Sequence, residues 1–278
     1  MFLGCHLSVS NGYLAMGQQA LRLGADTFQF FTRNPRGGAV KALDRADLKA
    51  LIDLANKNNL GPLVAHAPYT LNPCAAEVRI RNFALKSMAE DLERLALLPG
   101  ALYNFHPGCH VGQGTEAGIR QTAALLNEVL TADTSVTVLL ETMAGKGSEI
   151  GRSFGELAEV IGLVKFEAKV GVCLDTCHVF DAGYDIVDDL DGVLEEFDRE
   201  LGLNRLKAVH INDSLNNKSS HKDRHAKIGQ GQIGLPAIRK VVYHPKLQLL
   251  PFVLETPNEP DGYALEIKML REPPQEDN

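Results

Sequence analysis

The chain has 278 residues, 45% of them hydrophobic, and a formal net charge of -7. That length can bury one large α/β barrel core or two smaller ones, and the acidic balance taken alone runs against a nucleic-acid partner, whose phosphates call for surplus Lys and Arg. No apolar run approaches the roughly 20 residues that span a bilayer, and the N-terminus MFLGCHLSVS lacks the basic segment and small-residue cleavage site of a secretory leader; a soluble, cytoplasmic protein is expected. Five cysteines, Cys5, Cys74, Cys109, Cys173 and Cys177, lie scattered without C-x-x-C spacing and read as reduced thiols.

In chain order, strand-like runs recur about every 35 residues, each followed by a helical pattern, which is the rhythm of βα units on a parallel sheet. The expected strands are 2–8, 27–32, 62–67, 102–106, 136–142, 170–176, 206–212 and 252–256. Amphipathic helices separate them. Residues 44–56 place Leu48, Leu51, Ile52 and Ala55 on one face, and residues 77–98 form a stripe of Ile80, Phe83, Ala84, Met88, Leu92 and Leu95. Eight alternations with no segment left over predict a closed (β/α)8 TIM barrel, a single catalytic domain over residues 1–270, with a solvated tail at 271–278.

In such a barrel, active-site groups belong at the C-terminal ends of the strands, where the eight βα loops converge. Strand three ends in His66, strand four in His106, strand five in Glu141, and strand six in Asp175 with His178 just beyond. Strand seven ends in His210 and strand eight in Glu255. Residues two positions earlier, Val64, Asn104, Leu139, Cys173, Ala208 and Val253, share their parity and should point inward with them. The most unusual stretch, LKAVHINDSLNNKSSHKDRHAKIGQGQIG from Leu206 to Gly234, adds Asp223 and His225 from a long polar loop.

Five histidines and four carboxylates thus converge. One such histidine alone would be an ordinary hydrogen-bonded interior residue; nine groups at one face are not explained that way. Buried carboxylates crowded together need cations or raised pKa values. Imidazole with carboxylate and no thiolate suits zinc or manganese, and nine ligands exceed what one tetrahedral ion uses. His6 and His110 are expected to orient ligands, and His221 and His244 to be solvated. The G-x-G-x-x-G of Gly229, Gly231 and Gly234 follows a histidine-rich loop and not a strand, so no nucleotide cofactor is expected.

These segments resemble the endonuclease IV family of apurinic/apyrimidinic endonucleases over essentially the whole chain. LYNFHPGCH is similar to the family's strand-four segment, VLLETMAGKGSEIG to strand five and VGVCLDTCHVFDAGYD to strand six. HINDS…DRHAKIGQGQIG resembles the strand-seven signature, and PFVLETP the eighth strand. The resemblance implies three Zn2+ ions per chain, with Mn2+ as a substitute. His66 and His106 would hold a first ion, Glu141 would bridge to a second held also by Asp175, His210 and Glu255, and His178, Asp223 and His225 would hold the third. Glu141 and Glu255 are the carboxylates expected to be catalytic.

The implied activity is that of a deoxyribonuclease of base excision repair. It would hydrolyse the phosphodiester bond 5' to an abasic site in double-stranded DNA, leave a 3'-hydroxyl, clear blocked 3' ends, and act as a monomer. Three divalent cations would bring the net charge near neutrality and focus positive charge at the barrel mouth. Arg36, Tyr69, Lys218, Lys222 and Arg224 are the expected DNA contacts. Two departures stand out: Gly37 and Gly38 follow Arg36 where the family carries bulk, which predicts a weakened wedge at the lesion, and Leu215 stands where a lysine is common. The alternative is a divalent-metal sugar isomerase or epimerase on the same barrel. It would use Glu141, Asp175, His210 and Glu255 and leave the other five ligands unexplained. A non-catalytic DNA-binding module would be basic and lack the ligand cluster.

Overall fold

In the computed structural model, which describes residues 1–37 and 40–274, eight parallel strands close into a barrel. They are β1 (Phe2–Leu7), β2 (Thr27–Phe31), β3 (Val64–His66), β4 (Leu102–Phe105), β5 (Thr137–Glu141), β6 (Val170–Asp175), β7 (Leu206–His210) and β10 (Pro251–Leu254). Each neighbours the next in sequence, and β10 closes the ring against β1. Two short strands, β8 (Asp213–Ser214) and β9 (His225–Ala226), pair antiparallel inside the β7 connection, so the long polar loop there is an ordered hairpin-like excursion. Every expected strand is present. Most end a residue or two before the expected boundary, because the ladder stops where side chains turn into the mouth.

The wall is made by α1 (Tyr13–Arg22), α2 (Arg45–Asn58), α3 (Val78–Leu95), α4 (Thr115–Val129), α5 (Phe154–Gly162), α6 (Thr176–Ala182), α7 (Leu190–Leu201), α8 (Leu235–Tyr243) and α9 (Pro260–Leu270). Their starts follow from local chemistry. Asp44 accepts the Ala46 and Asp47 N–H groups ahead of α2, and Ser153 accepts that of Glu156 ahead of α5, while Glu156 reaches back to the Gly151 N–H. In α3, Ala84, Met88, Leu92 and Leu95 are buried as the stripe predicts, with Ile80 and Phe83 half-buried. Two polar residues share that face. Asp91, fully buried, accepts from Arg33 Nη2 at 2.8 Å and from the Tyr103 hydroxyl at 2.9 Å, tying the β2–α2 connection to the helix wall.

Inside the ring, Val64, Leu102, Leu139, Cys173, Ala208 and Val253 pack into one buried layer, each from a different strand. That is the filled interior expected of a barrel. It makes the floor on which the residues two positions further along stand. The tail is fastened for longer than expected: Arg271 binds Gly24 O and Asp26, and its own carbonyl accepts from the Tyr243 hydroxyl. Residues 275–278, and Gly38 with Ala39, lie outside the described residues.

Candidate metal centre

Strand geometry places most of the polar cluster without special devices. His66, Glu141, Asp175 and His210 are the last residues of β3, β5, β6 and β7, and all four are buried at 2% exposure or less. Glu255 follows β10 directly, and His106 follows β4. From the helical side, Asp175 caps α6 by accepting the His178 N–H, which turns the His178 ring over the mouth. The β8–β9 ladder aligns His225 with Ser214, and Asp223 stands just before it.

Glu141 sits between two sets of imidazoles. Its Oε2 faces His66 Nε2 at 3.2 Å and His106 Nε2 at 3.4 Å, and Oε1 faces His210 Nδ1 at 3.3 Å. His210 Nδ1 also faces Glu255 at 3.2 Å and Asp175 at 3.6 Å. On the outer side His178 Nε2 meets Asp223 at 3.1 Å, and His225 Nε2 lies 3.6 Å from Asp223 and 3.8 Å from Asp175.

Among the described residues four groups have ligand atoms that all lie within 4.8 Å of one another: His66, His106 and Glu141; Glu141, Asp175, His210 and Glu255; His178, Asp223 and His225; and Asp175, Cys177 and His225. An ion bound tetrahedrally at about 2.0–2.1 Å sets its ligands roughly 3.3 Å apart. The imidazole–carboxylate contacts above, at 3.1–3.8 Å, lie close to that spacing.

The imidazole tautomers point the same way. His66 Nδ1 binds Ala67 O at 2.6 Å, His178 Nδ1 binds Thr142 O at 2.8 Å, and His225 Nδ1 binds Glu255 O at 3.2 Å. A carbonyl only accepts, so each Nδ1 carries the proton and each Nε2 lone pair is turned toward carboxylate oxygens. In His210 the Gln29 side-chain oxygen at 2.7 Å fixes the ring the other way round, leaving Nδ1 for the carboxylates. Lone pairs facing anions repel unless a cation lies between them, and His225 Nε2 is buried with no hydrogen-bond partner among the described residues. The donor set therefore fits divalent metal.

Charge balance agrees. Burial works to raise the pKa of Glu141, Asp175 and Glu255, yet the surrounding imidazoles hold all three below the usual carboxylate range. Burial likewise opposes ionisation of Asp223, but the His178 hydrogen bond and charge hold it at about 2. His106 and His178 are pulled down by burial and driven up further by Glu141 and by Asp175 respectively. Four anions in this volume demand positive charge, as ions or as protons. Cys177, the thiol that groups with Asp175 and His225, is pushed well up by burial and stays a neutral thiol, a poor ligand.

Around the ligands stands a layer of amides, of which strand parity pointed to Asn104 alone while Gln29 and Asn212 went unnoticed. Gln29 donates to Glu255 at 2.5 Å and to His6 Nδ1 at 3.0 Å, besides holding His210. Asn212 donates to Asp175 at 2.6 Å and accepts the Glu255 N–H, while Asn104 donates to Glu141 at 2.5 Å. The signal for Gln29 was present: a lone amide in the aromatic run TFQFF of a buried strand. His6, 3.6 Å from Glu255, stands where an orienting residue would.

His110 is engaged elsewhere, accepting the Gly114 N–H at the start of α4 through Nδ1. His221 is exposed but docks on Ala144 O, and His244 pairs with Asp191. The glycine fingerprint also resolves. Gly229 and Gly231 donate to one Asp213 oxygen, and Ile233, Gly234 and Ser214 to the other, so the segment cradles a carboxylate of its own chain. A Cβ on Gly231 would lie 2.3 Å from Ser214 O, which excludes any other residue.

The expected DNA contacts rim the mouth. Tyr69 is 62% exposed, and Arg36, Lys222 and Arg224 are exposed too, whereas Lys218 is already paired with Asp185. Arg36 occupies the third position of a β-turn closed by Gly37 N–H to Asn34 O at 2.8 Å, and Pro35 O accepts the Tyr69 N–H, joining the two loops. Gly37 carries a constraint of its own. Its φ is +83°, and a Cβ there would lie 2.9 Å from Thr70 Oγ1, so a side chain at 37 would be strained and would crowd the neighbouring loop. Gly38, the other glycine of the expected weakened wedge, lies outside the described residues.

Fold and site together define a TIM barrel with a metal-capable cluster at its C-terminal mouth. A family model described as xylose isomerase-like TIM barrel matches residues 18–272. A relative named probable endonuclease 4 from Alkaliphilus oremlandii is 58% identical over 97% of this chain and 96% of its own. The crystal structure of endonuclease IV from Thermus thermophilus superposes with a TM-score of 0.86 at 34% identity, covering 98% of both chains. The chain thus belongs to the xylose isomerase-like TIM barrels and, among them, to the endonuclease IV family. D-psicose 3-epimerase from Clostridium cellulolyticum, at 16% identity and a TM-score of 0.66, shares the fold. Among the described residues no helix is long and apolar enough to cross a membrane.

Proposed function

We infer that this protein is a metal-dependent deoxyribonuclease of base excision repair, cutting the phosphodiester bond 5' to an abasic site and leaving a 3'-hydroxyl. The observation that carries this reading is the set of fixed imidazoles whose free nitrogens face shared carboxylates in three groups. Membership of the endonuclease IV family supports DNA as the substrate. Three zinc ions, with manganese able to replace them, would be held by His66, His106 and Glu141; by Glu141, Asp175, His210 and Glu255; and by His178, Asp223 and His225. Cations bound there supply Lewis acidity, acidifying water toward neutral pH and neutralising charge on phosphate oxygens.

The protein's own part is positioning. Glu141 turns one oxygen to each inner group, so it fixes the distance between them, and Glu255, held by Gln29 and by the Asn212 contact to its N–H, keeps the second group's geometry. Arg36 and Tyr69, joined through Pro35, would grip the strand beside the lesion, with Lys222 and Arg224 on the backbone and Lys218 available on leaving Asp185. The protein would act as a monomer in the cytoplasm, as one domain over residues 1–270, and would also clear blocked 3' ends.

The test is a duplex carrying one tetrahydrofuran abasic analogue. A single nick on its 5' side, with a 3' end that a polymerase extends, is the expected product, and an intact duplex should survive. No nicking, together with epimerisation of a ketose, would replace this reading with the isomerase one, for which Glu141, Asp175, His210 and Glu255 alone suffice.

A further inference from the structure

The outer ligand group hangs on a strained loop, and one residue outside the metal cluster holds it. Ser219, His221 and Asp223 all have left-handed backbones, with φ of 66°, 54° and 54°, a conformation costly to residues other than glycine. Each sends its N–H to the end of α6: Ser219 to Phe180 O at 3.1 Å, His221 to Asp181 O at 3.0 Å, and Asp223 to the Asp181 carboxylate at 2.9 Å. The other Asp181 oxygen accepts from Ser214 Oγ at 2.7 Å. Asp181 is fully buried, and its three-residue spacing from His178 puts both on one face of α6. The helix thus grips Asp223 twice, its carboxylate through His178 and its backbone through Asp181.

We propose that Asp181 is a positioning residue that sets Asp223 in its left-handed conformation and thereby controls occupancy of the His178, Asp223 and His225 subsite, without touching an ion itself. The inference rests on the metal reading above. Asp181 needs to accept, not to be charged: an asparagine can still take the Asp223 N–H on its oxygen and donate to Ser214 Oγ with its amide.

The experiment is equilibrium zinc titration of the wild type and of Asp181→Ala, Asp181→Asn, Asp223→Ala and Asp181→Ala/Asp223→Ala, against a chromophoric chelator, with circular dichroism of each. In Asp181→Ala the weakest-bound zinc should loosen by about tenfold to a hundredfold, the effect of losing hydrogen bonds to a charged acceptor, while the other zincs keep their affinity. Asp181→Asn should stay within a few-fold of wild type, and Asp181→Ala should cost no further zinc once Asp223 is already alanine. Equal loosening in the asparagine and alanine variants would mean that the charge acts at a distance, and unchanged zinc affinity in the alanine variant would mean that Asp223 holds itself; either overturns the proposal. If Asp181→Ala fails to fold, the asparagine variant decides alone, a tenfold or greater loss overturning the proposal and a near-wild-type affinity upholding it. Wild type that binds no zinc would instead sink the metal reading.

Discussion

The inner and outer halves of the site are held in different ways. His66, Glu141, Asp175 and His210 stand on the ends of strands, over a packed apolar layer, and their spacing comes with the barrel. His178, Asp223 and His225 come from a short helix and a loop, and there the geometry depends on hydrogen bonds that hold costly backbone conformations. A strand end is rigid because the whole ring braces it; a loop ligand is only as well placed as its anchors. The inner half should therefore tolerate damage to its surroundings and fail when a ligand is lost, whereas the outer half should fail when an anchor is lost.

The largest effect is expected from Glu141→Gln, which removes the charge that both inner groups share. Cleavage of an abasic duplex should fall by orders of magnitude and bound metal should drop, while the barrel, braced by its strands, keeps its circular dichroism. Near-normal cleavage with full metal content would show that the inner groups do not share this carboxylate.

Next in size is Asp213→Ala. It leaves five backbone N–H groups around the nest without their acceptor, those of Ser214 and Ile233 buried, and unsatisfied buried donors cost about 1–3 kcal/mol each before relaxation. We expect a stability loss of about 3 kcal/mol or more in urea unfolding, with faster proteolytic nicking between residues 213 and 234. An unchanged unfolding midpoint would mean that the loop is held by other contacts and that the contrast between the halves is overstated.

Much of the inner half could be read in the sequence because its logic is local: an apolar run, a fixed parity, and a polar residue where the strand ends. Val64 and His66, Leu139 and Glu141, and Ala208 and His210 are each two positions apart, so one rule finds floor and ligand together. The anchors obey no such rule. Asp181 meets Asp223, Gln29 meets Glu255 and Asn212 meets Asp175 across long stretches of chain, and only closure of the barrel brings them into contact. Gly37 hides a constraint of the same kind: beside Arg36 it reads as a missing side chain, while its left-handed backbone and the approach of Thr70 on the next loop are set by the fold.

Gly37→Ala gives the smallest effect. A left-handed alanine costs about 1–2 kcal/mol, so the melting temperature should fall by a few degrees, and affinity for an abasic duplex should not improve. Tighter binding would show that bulk at this position fills the lesion.

The claim that two halves of one multi-metal site do phosphodiester chemistry is tested most directly by metal content measured alongside cleavage during stepwise chelation. Elemental analysis should find about three zinc ions per chain, with the outer ion leaving first and abasic-duplex cleavage falling as the ions are withdrawn. Full cleavage from protein that holds one ion or none would contradict the account.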